Sequence, residues 1–102
     1  MYRLIVTELA HQDLDRIIAY ISIQLSNQKA AGDFLTDVDK CYSFLKSSPM
    51  IYESCQDKRL EHEGYRKALI KNYVLLYKVD EVTKTVIVMR YFYAAQDYLN
   101  LI

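Results

Sequence analysis

Between Gly64 and Val79 the chain carries four cations, Arg66, Lys67, Lys71 and Lys78, and no acid, with Tyr65, Tyr73 and Tyr77 interleaved among them. Cations and aromatic rings on one surface hold phosphates and stack bases. The plain alternative is a sheet whose exposed face simply carries lysines. Just upstream, Lys58-Arg59-Leu60-Glu61-His62-Glu63 brings side chains of the general-acid and general-base types together. The preferred reading of that run is a solvated charged loop, because such runs are mostly surface. His11, in the first turn of an expected helix, reads as an exposed structural histidine.

Other chemistries lack their residues. HExxH, GxGxxG, Walker and GxSxG patterns are missing, which removes the signatures of zinc peptidases, dinucleotide enzymes, P-loop NTPases and α/β hydrolases. With two histidines and two cysteines, Cys41 and Cys55, that form no CxxC pair, neither a metal site nor a disulfide framework is supported. No metal or other cofactor is expected.

At 102 residues, with 52% hydrophobic and 13% aromatic content, the chain suits one domain spanning residues 1–102. Two glycines and one proline leave no room for linkers or repeats. No run of eighteen apolar residues occurs and the start is too short for a signal core, so a cytoplasmic protein without a membrane partner is expected. Formal net charge is zero, yet the sum hides a division: residues 1–57 carry −3 and residues 58–102 carry +3. A surface facing a polyanion would therefore lie in the C-terminal half. A charge of +3 is modest for gripping RNA by counterion release, and it favours a protein target over bare nucleic acid.

The elements that would position these residues follow from periodicity. Tyr2 to Thr7 alternates like a half-buried strand. Ala10, Leu14, Ile17, Ile18, Ile21 and Leu25 recur at helical spacing behind Thr7 as N-cap, with Gln12, Asp13, Asp15 and Arg16 on the wet face. After a break at 26–28, with Asn27 as cap, a second stripe runs from Ala30 to Leu45 and stops before Pro49. Residues 50–64 read as a long connection with one helical turn near Tyr52. Strands are expected over Tyr65 to Ile70, Tyr73 to Asp80 and Thr85 to Tyr93, with turns at Lys71-Asn72 and Glu81 to Lys84, and a short amphipathic helix over Ala94 to Ile102.

Strand, helical hairpin, long loop and three-stranded meander, in that order, resemble the RelE/ParE superfamily of toxins from type II toxin-antitoxin systems, over nearly the whole chain. The residues that carry the resemblance are Tyr2-Arg3-Leu4-Ile5-Val6-Thr7 with Ala10, Asp13-Leu14, Ile17 and Tyr20-Ile21, and Ala30-Ala31 with Phe34. They continue with Leu45 and Pro49, Arg59-Leu60 before Gly64-Tyr65-Arg66, the run Tyr73 to Asp80, Arg90-Tyr91-Phe92-Tyr93 and Gln96-Asp97-Tyr98. The resemblance implies an α+β fold of order β-α-α-β-β-β, an antiparallel sheet with an N-terminal helical hairpin on one face.

It also implies a toxin that inhibits growth and serves plasmid stabilization, held inactive by a cognate antitoxin through which operator DNA is bound. The Ala10-x-x-Asp13-Leu14-x-x-Ile17 opening and the long hairpin with Ala30-Ala31 resemble ParE-like chains, which inhibit DNA gyrase. The alternative is a RelE-like, metal-independent mRNA endonuclease acting on the ribosome, with Arg66, Arg90 and Tyr93 as catalytic residues and Glu61, His62 or Glu63 as acid or base. Here Val74 follows Tyr73 where such nucleases usually carry arginine, and Phe92-Tyr93 stands where some end in His-Tyr. Under either reading the binding surface is expected to comprise Lys58, Arg59, Arg66, Lys67, Lys71, Tyr73 and Lys78.

Overall fold

A computed structural model describes residues 1–50 and 58–95. The helical turn expected near Tyr52, the thiol of Cys55 and residues 96–102 of the expected C-terminal helix lie outside them. The elements are β1 (Arg3–Val6), α1 (Glu8–Ala19), a π-helical turn (Tyr20–Gln24), α2 (Gln28–Ser47), α3 (Lys58–His62), β2 (Tyr65–Ile70), β3 (Tyr73–Asp80) and β4 (Thr85–Tyr93). Helices pack on a four-stranded sheet of order β1-β4-β3-β2.

The α+β class is as expected and β2, β3 and β4 pair antiparallel, whereas the expectation of a wholly antiparallel sheet is corrected at β1, which lies parallel to β4 with Arg3 opposite Thr85 and Val6 opposite Val88. The path of the helices explains this. β1 passes through Thr7 directly into α1, which continues along the edge of β4, and α2 then returns so that Lys46 O accepts a 2.8 Å hydrogen bond from Tyr2 N. β2 thus starts from the end where β1 began, and two hairpin reversals leave β4 running with β1. The three C-terminal strands have the boundaries expected from their alternation and turns.

Both caps are made by the expected residues. Thr7 Oγ1 accepts from Ala10 N at 3.1 Å and donates to Met89 O at 2.9 Å, joining α1 to β4, while Asn27 Oδ1 accepts from Ala30 N at 3.0 Å. The first helical stripe does not run unbroken to Leu25. After Ala19 the backbone widens, with Leu25 N bonded to Tyr20 O at 3.1 Å, and Leu25 ends exposed. The main core lies between the helices and the inner sheet face, built on Ile17, Phe34, Val38, Leu45, Tyr77 and Val88. On the opposite face Leu60, Tyr65, Val74, Leu76 and Phe92 form a second cluster. Leu60, fully buried, comes from α3, so Lys58–His62 is a short helix and not the expected loop. Its one apolar side chain anchors it to the sheet.

Candidate functional site

Four of the sequence-derived candidates, Lys71, Tyr73, Arg90 and Tyr93, gather where β3 and β4 meet α1 and the π-helical turn. Tyr73 packs edge-on against Phe34 at 5.3 Å between centroids and against Tyr93 at 5.6 Å. With Lys71, Tyr20 and Asp33 these rings line a cleft of 640 Å³. Burial, then the neighbouring phenols of Tyr20 and Tyr93, push the Tyr73 hydroxyl above the ordinary tyrosine range. At neutral pH it is a neutral donor and no base.

A smaller hollow of 350 Å³ adjoins this cleft and is lined by Asp13, Arg16, Arg90 and Tyr93 among others. Here the structure corrects the placement of Asp13 on the wet face of α1: its side chain is 7% exposed. Its Oδ2 accepts from Arg90 Nε at 2.7 Å and from the backbone N–H of Tyr91 at 3.0 Å, and its Oδ1 accepts from Arg90 Nη2 at 3.1 Å. The fork geometry is that of a charge-assisted bidentate pair. The hydrogen bond to Asp13 holds the Arg90 guanidinium above its ordinary pKa. Arg90 therefore stays charged and is paired in place, with its Cζ 4.7 Å from the centre of the Phe92 ring.

Two local features bring this pair together. β1 ends at Val6, so among the described residues no strand lies beside the edge of β4 beyond Val88, and Asp13 accepts the Tyr91 N–H there. The register of β3 and β4 slips between Leu76 and Tyr77, so that Leu76 faces Arg90 and Tyr77 faces Val88, leaving Met89 as the extra residue of a bulge. A bulge re-aims the next side chain, and Arg90 turns over the strand edge towards α1.

The remaining candidates are dispersed. Arg66 and Lys67 are neighbours on β2 and project to opposite faces, Arg66 on the side of Ala68 and Ile70, and Lys67 on the side of Tyr65. Lys78 shares the face of Lys67, its Nζ 4.5 Å above the Tyr65 ring. Lys71, one of the four gathered at the cleft, also reaches back to α2, where its Nζ lies 3.3 Å from Asp37 Oδ2. Lys58 and Arg59 are exposed at the start of α3, and Glu61, His62 and Glu63 are exposed at its end. Arg90 and Tyr93 both line the smaller hollow, and Arg66 lines neither of the two. Among the described residues no cluster of His, Cys, Asp or Glu could hold a metal. No helix of the described residues is long and apolar enough to cross a membrane.

The residue that sequence reasoning misplaced, Asp13, left a signal. It stands three residues after Ala10 and four before Ile17, both buried on the inner stripe of α1. An acid at such a position must find a partner inside.

The architecture is that of a small α+β domain, with α1 and α2 on one face of an open, mostly antiparallel four-stranded sheet, and it matches RelE/ParE-like folds. Residues 4–98 match the family model described as ParE toxin of type II toxin-antitoxin system, parDE, and the chain belongs to this family. It is the toxin of a type II toxin-antitoxin system. Similar solved structures include a chain of the chromosomal ParDE system from P. aeruginosa, 18% identical with TM-score 0.70, covering 91% of this chain and 96% of that one. The RelBE2 toxin-antitoxin complex from Mycobacterium tuberculosis is 19% identical with TM-score 0.63, covering 90% and 96%. YafQ from E. coli is 13% identical with TM-score 0.61, covering 93% and 96%. Likeness at these identities is a likeness of fold. No curated relative matches the chain in sequence.

Proposed function

We propose that this toxin arrests growth in the bacterial cytoplasm by binding and inhibiting DNA gyrase, and that a cognate antitoxin, which carries the contact with operator DNA, holds it inactive. The observation that carries this reading is the Asp13–Arg90 pair. Metal-free RNA cleavage needs cations free to meet the charge that develops on phosphorus, with an acid and a base beside it. Arg90 is matched by a carboxylate, Arg66 and Lys67 point to opposite faces, and Glu61, His62 and Glu63 lie on α3. Such a layout suits a binding surface better than a reaction centre. The gyrase target is the one that the resemblance to ParE-like chains implies, and the toxin-antitoxin complexes among the similar structures support the antitoxin.

Supercoiling by purified gyrase, with and without the chain, tests the reading. Loss of supercoiling at stoichiometric toxin is expected, together with intact message in a ribosome-programmed translation reaction. Full supercoiling at excess toxin, with cut message, would instead establish the mRNA endonuclease.

A further inference from the structure

β1 is one edge of the sheet, with β4 on one side and no described strand on the other. Its backbone groups sort by parity. Arg3 N donates to Lys84 O at 2.8 Å and Thr7 N to Val88 O at 3.0 Å, so the odd residues direct N–H and C=O towards β4, and Leu4 and Val6 direct theirs away from the sheet. Ahead of the strand, Tyr2 N–H is taken by Lys46 O of α2. No described residue bonds the outward groups of Leu4 and Val6.

Sheet edges are ordinarily guarded by lysine, proline or a bulge. β2, the opposite edge, carries Arg66 and Lys67. Arg3-Leu4-Ile5-Val6 has a single charge, at its first position, and pairs with β4 without a register shift. Leu4 and Val6 pack against the main core, which leaves Ile5, 45% exposed, on the sheet face where α3 packs, beside Ile87 of β4. Just past the strand, α1 opens with Glu8, an exposed acid. Neither Arg3 nor Glu8 is in an ion pair among the described residues.

We propose that β1 is a self-recognition edge: a second copy of this chain adds its own β1 antiparallel, about a two-fold axis at Ile5, and the two four-stranded sheets join into one. In this register Leu4 and Val6 of each copy exchange N–H···O=C bonds with Val6 and Leu4 of the other. The two Ile5 side chains meet at the axis, where the Cα atoms of a non-hydrogen-bonded pair lie roughly 4.5 Å apart. That pair continues an apolar row from Ile87 of one copy to Ile87 of the other. Charge decides the occupant. Antiparallel pairing sets Arg3 of each copy beside Thr7 and Glu8 of the other and keeps the two Arg3 residues at opposite ends, whereas pairing through β2 would bring cation to cation. The contact is isologous and closes at two copies. Its axis stands normal to the sheet, so both copies turn Lys67 and Lys78 to the same side and present that cationic face twice to one target.

Sedimentation equilibrium of the purified chain, combined with amide hydrogen exchange, tests the pairing. The mass is expected to rise from 12.0 kDa towards twice that value as concentration increases. Over the same range, exchange at Leu4 and Val6 is expected to slow about tenfold, while Arg3 and Ile5, already bonded to β4, change far less. Ile5→Lys sets like charges at the axis and is expected to weaken association about tenfold or more. Arg3→Glu should weaken it as well, and Arg3→Glu combined with Glu8→Arg should restore it. If Ile5→Lys unfolds, the charge exchange decides alone. A mass that stays at 12.0 kDa at every concentration would overturn the proposal. So would a dimer that survives both single variants, or one in which Leu4 and Val6 exchange as in the monomer, because either pairs through another surface. The toxin reading stands or falls separately, on growth when the chain is induced.

Discussion

Asp13 of α1 holds Arg90 of β4 through two hydrogen bonds, 2.7 and 3.1 Å long, and with the same carboxylate accepts the backbone N–H of Tyr91. One side chain thus closes the strand edge that β1 is too short to cover and immobilises the arginine that a nuclease reading would use.

Removing that carboxylate leaves the Tyr91 N–H and the guanidinium without their acceptor. Asp13→Ala is expected to cost about 2–3 kcal/mol, less than for a fully buried pair because the Arg90 side chain is 25% exposed. In a domain of this size that lowers the melting temperature by roughly 10–20 °C. In a double-mutant cycle with Arg90→Gln by urea unfolding, a coupling energy near zero would contradict the pairing.

Tyr42 and Tyr91 share a hydrogen bond between their hydroxyls at the junction of α2 and β4, and burial raises the pKa of both phenols, that of Tyr91 further. Unfolded tyrosine ionises near pH 10. Their contribution is therefore complete below about pH 10 and is lost as pH rises through the higher folded values, because the unfolded chain gives up these protons first. Urea midpoints measured from pH 8 to 11 should fall at the alkaline end. The double variant Tyr42→Phe, Tyr91→Phe should flatten that fall.

The Tyr77 ring is fully buried, and its hydroxyl donates to Pro49 O at 2.6 Å, tying the end of α2 to the centre of the sheet. Tyr77→Phe keeps the ring and strands the carbonyl, at an expected cost of about 1–2 kcal/mol. Thermal melting checks this value, and an unchanged midpoint would mean that Pro49 O finds another donor.

Lys67 and Lys78 lie on the sheet face opposite α1 and α2, the face on which α3 packs, and the proposed target would meet them there. Reversing both to Glu should change stability by no more than about 0.5–1 kcal/mol. The same variant should relieve growth arrest on induction, scored by colony counts. Undiminished arrest would place the target contact elsewhere.

Much of this architecture is legible along the chain because it is encoded locally. Thr7 and Asn27 mark helix starts by the chemistry of their oxygens, and the turns at Lys71-Asn72 and Glu81 to Lys84 separate runs whose alternation already delimits the strands. The inner stripes of both helices pack where their spacing requires, from Ala10 and Ile17 to Phe34 and Leu45. Leu60 shows the limit of local reading: one apolar residue among charges has no period, and only the hydrophobic face of the sheet beneath it makes those residues a helix.

Apart from α3 and the π-helical turn, secondary structure follows from neighbouring residues, as does the segregation of charge into an acidic N-terminal and a basic C-terminal half, so order along the chain suffices for them. Parallel pairing of β1 with β4, the bulge at Met89 and the burial of Asp13 depend on contacts between residues as far as 82 positions apart. A carboxylate at a helix position reads as solvated until something inside competes for it. Here the competitors are a guanidinium and an unpaired strand N–H, brought to it by the path of α1 along β4. That long-range contact fixes the side chain of Arg90 against α1.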